Sequence, residues 1–111
     1  MMQIIARTKT PEVLIEEIEK AITEGDLKTW AKKKTTENGF VFYHNTPNGQ
    51  WEEVIILPMA NTKDEKVTFS VTSWKGKPDP EFEKQGYVLG RFVEILVVHF
   101  KNSFTTLIIN K

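Results

Sequence analysis

Residues 78–100 read PDPEFEKQGYVLGRFVEILVVHF, and how this stretch hides its apolar side chains decides the fold. The pattern predicts one long helix, a rod over residues 80–100. Asp79 offers a carboxylate to a first-turn N–H, and Pro80 suits the first helical position, where the amide it lacks would have no partner. Glu81 and Glu83 then place negative charge at the positive end of the helix dipole. Asn102 can take the left-handed conformation that closes such a helix. At about 100° per residue, Phe82, Leu89, Phe92, Val93, Leu96 and Phe100 share one broad face. A second strip carries Tyr87, Val88, Ile95 and Val98, interleaved with Lys84, Arg91 and Glu94. An ordinary surface helix is polar there, so part of that strip is expected to be covered.

Upstream, Gln3–Thr8 suits a first strand. Thr10-Pro11-Glu12 opens a helix, and Leu14, Ile15, Ile18, Ala21 and Ile22 form its apolar stripe up to Gly25. From Leu27 to Trp74 the pattern becomes β. A strand over residues 28–36 leads through an Asn38-Gly39 hairpin turn into Phe40–Tyr43. After Asn45-Thr46-Pro47-Asn48-Gly49 comes a strand from Trp51 to Leu57, with Pro58 near its end marking an edge or bulge. Val67, Phe69 and Val71 alternate with Thr68, Ser70 and Thr72, as in a strand wet on one face. Phe104–Ile109 is the last strand. The order β-α-β-β-β-β-α-β predicts an α+β fold, a two-layer sandwich with a mostly antiparallel sheet and both helices on one face. The terminal strands are expected to pair centrally, as in a split βαβ arrangement.

The chain has 111 residues, which bounds it to a single domain over 1–111. Its 15 basic and 15 acidic side chains balance, so there is no whole-molecule electrostatic case for nucleic acid or an anionic membrane. Lys28, Lys32, Lys33 and Lys34 do flank Trp30, but strand alternation splits them between two faces. With no cysteine, disulfides, thiolate metal sites and cysteine catalysis are excluded. The N-terminus lacks a signal-peptide pattern, and the cytoplasm is the expected compartment.

The run Gly90-Arg91-Phe92-x-Glu94-x-Leu96-x-x-His99-Phe100 resembles the C-terminal signature of a family of small uncharacterised bacterial proteins. Asp26-Leu27-Lys28-Thr29-Trp30 and Trp51 resemble that family's earlier landmarks. The resemblance implies a cytoplasmic bacterial α+β protein and no particular activity. Leu89 stands where such proteins often carry a histidine, so no two-histidine site is expected.

Two functional readings follow from the residues. The first, and the favoured one, is a non-catalytic protein-interaction or self-associating module, as a homodimer or with another protein, using Trp51, Trp74, Tyr87, Val88, Ile95 and Val98. The second is a site for a small anionic ligand, enzymatic or not, built from Arg91, Glu94, His99 and Tyr43. Arg91 and Glu94 also fit a plain intrahelical ion pair, and His99 a capping or packing residue. Metal ligation has no support: His44 and His99 are the only histidines, and Glu52-Glu53 on a strand would point to opposite faces. No cofactor motif is present.

Overall fold

The computed structural model describes residues 2–35, 39–47, 49 and 51–111. The elements are β1 (Gln3–Arg7), α1 (Pro11–Thr23), β2 (Trp30–Thr35), β3 (Gly39–His44), β4 (Val54–Asn61), β5 (Lys66–Ser73), α2 (Phe82–His99) and β6 (Thr106–Asn110). The chain is α+β with the expected element order. Asn38 and Asn48, on which two expected turns rest, lie outside the described residues.

All six strands form one antiparallel sheet in the order β2-β3-β4-β5-β1-β6. The terminal strands do pair with each other, but β6 takes the edge rather than the centre. Because β1 opposes both β5 and β6, those two run parallel with β1 between them, so β5-α2-β6 is the split unit.

Register sorts the side chains. Ile4, Ala6, Phe42, Val54, Ile56, Val67, Phe69 and Val71 face one way and join a single core with Leu14 and Ile18 of α1 and Val88, Leu89, Phe92 and Leu96 of α2. Both helices therefore cover the same face. Phe92 is its centre, fully buried, with ring centroids 4.9 Å from Phe69, 5.3 Å from Trp30 and 6.1 Å from Phe42. Each such side chain contributes roughly 1.5–3 kcal/mol by leaving water. Val41 and Ile55 are buried too, but lie outside that core, on the helix-free face.

α1 follows its periodicity closely. At its end Gly25, at φ +81, lets its own N–H reach the Ile22 carbonyl and the Asp26 N–H reach that of Ala21. This pair satisfies two orphan carbonyls, the Schellman closure.

α2 departs from expectation at both ends and on one flank. It starts at Phe82, not Pro80, and Glu81 is its N-cap in place of Asp79. Pro80 is buried instead, its carbonyl accepting a 2.7 Å bond from Gln85 Nε2. Burial holds that residue against the core and delays the helix. At the other end Phe100 caps the helix, not Asn102, since the pull of its buried ring into the core turns the chain there. Of the two predicted apolar strips, Leu89, Phe92, Leu96, Val88 and Ile95 are buried, but Phe82, Tyr87 and Val98 are exposed. Half of the second strip is therefore open surface.

Trp51-Glu52-Glu53 is a turn, and β4 begins only at Val54, whose N–H bonds the Trp51 carbonyl at 3.1 Å. The predicted opposition of Glu52 and Glu53 across a strand thus does not arise. Pro58 sits inside β4, past the short ladder to β3 formed by Phe42–Ile56 and Tyr43–Ile55, where a residue lacking N–H is tolerated. Among the described residues no helix is long and apolar enough to cross a membrane.

A candidate ligand cleft between α2 and the β2–β3 end

The site grows from the paired ends of two strands. Trp30 opens β2 and lies opposite His44, which closes β3, and the Asn45 N–H bonds the Thr29 carbonyl at 2.6 Å to seal that end. Strand parity sends Trp30, Phe42 and His44 to the helix side, so His44 lies under α2, edge-on to Trp30 at 5.1 Å. α2 supplies the opposite wall. Val88, Arg91 and Ile95 recur at helical spacing, with Tyr87 and Glu94 on the outer flank.

The third wall is Trp51, whose ring lies 5.3 Å from Tyr87. Its turn is held from two sides. The Trp74 indole N–H donates to the Glu52 carbonyl at 2.6 Å, and Lys84 of α2 pairs with the Glu53 carboxylate. That hydrogen bond, with the charge of Glu53 behind it, raises the Lys84 pKa above the usual lysine value. The aromatic wall is thereby fastened to the helix that carries Arg91.

Together these groups, with Thr29 and Thr46, enclose an open cleft of about 550 Å³. That is within the range of small-molecule sites, roughly 300–1,000 Å³. His44 is only 8% exposed, and its Nδ1 is buried without a hydrogen-bond partner. Burial, and then the positive charge of Arg91, push its pKa below the ordinary histidine value. Arg91 and Glu94 approach to 3.6 Å at i,i+3, both side chains 63% exposed. This is a loose rim pair, and either partner can turn to a ligand at little cost.

Of the residues picked from sequence, Arg91, Glu94, Trp51, Tyr87, Val88 and Ile95 come together here. Tyr43 does not. It points to the helix-free face, where it meets Trp74 edge-on at 5.6 Å, and both rings are half-buried rather than exposed. His99 is exposed in the last turn of α2, with Phe100 as its ring neighbour, and Val98 is exposed beyond the cleft. The residue sequence reasoning missed is His44. Alternation with Phe40 and Phe42 was the available signal, since it puts His44 on the core side and Tyr43 on the other. The basic patch is divided as expected: Lys32 lies over Phe40 at 4.4 Å on the helix side, and Lys33 near Trp74 at 5.5 Å on the opposite side.

Among the described residues no cluster of His, Asp and Glu is arranged to hold a metal. Comparison with protein-family models, curated proteins and solved structures returned no match.

Proposed function

We propose that the chain is a small-molecule-binding domain, and that the cleft takes a flat, largely apolar ligand carrying an anionic group. The observation that carries this reading is the convergence of a cation, Arg91, with a pinned aromatic pair, Trp51 and Tyr87, over a floor of Trp30 and His44. Trp51 and Tyr87 supply stacking surface, and Arg91 supplies a fork of donors for a carboxylate or phosphate.

The test uses tryptophan fluorescence, because Trp30 and Trp51 both line the cleft. Aromatic carboxylates are expected to shift the emission saturably, and the matching neutral amides to bind about tenfold more weakly, a difference of about 1.4 kcal/mol. Arg91→Ala is expected to abolish that preference with little change in melting temperature, since an exposed i,i+3 ion pair contributes only about 0.5 kcal/mol. Trp51→Ala should weaken acid and amide alike. If Arg91→Ala unfolds the protein, or no aromatic acid perturbs the tryptophans, the reading fails.

A further inference from the structure

The two edges of the sheet are built differently. β2, the edge beside the cleft, carries Lys32, Lys33 and Lys34 in succession, so a second copy laid against it would set lysine opposite lysine. β6, the other edge, reads Thr106-Leu107-Ile108-Ile109-Asn110 and has no charged residue and no proline. Apolar side chains stand on both of its faces. Ile108, 37% exposed, pairs with Ile5 on the helix-free side, and Ile109, 54% exposed, pairs with Ile4 on the helix side. Phe82, 63% exposed, lies near the end of this strand, lining a shallow depression with Lys111 and Met2.

We propose that β6 is a self-association edge, and that its partner is the β6 of a second copy, paired antiparallel about a two-fold axis through Ile108. The argument is self-complementarity. Along an edge strand only alternate residues turn their N–H and C=O outward, so a two-fold antiparallel pair must be centred on a residue. Centring on Ile108 engages all five positions. Ile108 then meets its own copy on one face and Leu107 meets Ile109 on the other, while Thr106 meets Asn110. Apolar residues oppose apolar ones and polar oppose polar. The join makes one sheet of two six-stranded halves whose remaining edges are both the lysine-bearing β2. Closure in this way leaves no apolar edge for open-ended stacking. A five-residue seam alone falls short of the roughly 1,000 Å² of a specific interface, so Phe82, Ile108 and Ile109 must supply much of the area. The dimer is therefore a reversible one.

Sedimentation velocity over two decades of concentration tests this. The wild-type chain is expected to move from the mass of one chain to that of two and to stop there. Ile108→Lys and Ile108→Glu, each placing like charges across the axis, should stay at one chain with unchanged circular dichroism. Mixed in equal amounts, they should regain the two-chain mass, because lysine then faces glutamate. If Ile108→Lys does not fold, Ile109→Lys serves the same purpose, that side chain being more exposed. The proposal is overturned by a wild-type monomer at every concentration, by assemblies larger than two, or by a dimer that survives these variants but is lost in Val98→Lys on α2.

Discussion

Replacing Phe92 with alanine is expected to cost about 3–5 kcal/mol, the range for truncating a fully buried aromatic. Phe92 has no exposed surface and is the one residue whose ring touches Trp30, Phe42 and Phe69 together, so it links α2 to β2, β3 and β5. The three rings cannot close over the void without breaking their own packing on the sheet. For a domain of this size the loss corresponds to roughly 15 °C in melting temperature. It would consume a large part of a total stability of about 5–15 kcal/mol. Calorimetry of Phe92→Ala beside Val97→Ala checks it. Val97 lies on the same helix but is 49% exposed, and its truncation should fall within about 0.5 kcal/mol. Equal losses at both positions would show that α2 is not seated on the sheet as described.

Acidification should destabilise the fold through His44. In the folded protein burial and the nearby Arg91 charge hold its pKa below the ordinary histidine value of 6.5. The unfolded chain then binds a proton where the folded one does not. The stabilising contribution is complete above pH 6.5 and is lost as pH falls from there through the lowered folded value. Glu19 acts in the opposite sense at lower pH, because burial raises its folded pKa above 4.5 and so favours the folded state as that carboxyl protonates. The expected result is a melting temperature that declines as pH falls below 6.5, with the Glu19 gain opposing part of the loss at lower pH. His44→Gln, which cannot take the proton, should remove the decline. A wild-type curve that is flat from pH 7 to 5, or unchanged in His44→Gln, would mean that the imidazole is not held away from solvent.

Short-range periodicity carried most of the architecture. The 3.6-residue stripe of α1 and the alternation of Val67, Phe69 and Val71 depend only on neighbours along the chain, and both appear in the structure, although Ser70 on the other face of β5 is buried too. What depended on distant partners was harder to read. The start of α2 differs because Pro80 is buried, and Phe82 stays exposed because no described element covers it. The cleft was half legible. Arg91, Glu94, Tyr87, Val88 and Ile95 share a helix flank, so helical spacing gathered them. Their partners come from β2, β3 and the Trp51 turn, and which side of β3 faces the helix is set by pairing, not by local pattern. Tyr43 and His44 differ by one residue in a period of two, and in a strand that exchanges one face of the sheet for the other.

The position of β1 has a consequence for how the chain is made. Its two neighbours come from residues 66–73 and 106–110, so Ile4 and Ala6 are synthesised about 60 residues ahead of the first of them. At about 5–20 residues per second, that strand waits roughly 3–12 s unzipped on both sides. Its second side waits longer still, because β6 follows β5 and α2 in the chain. Until those partners follow, β1 is an apolar ribbon without neighbours, a natural handle for chaperones that grip extended segments.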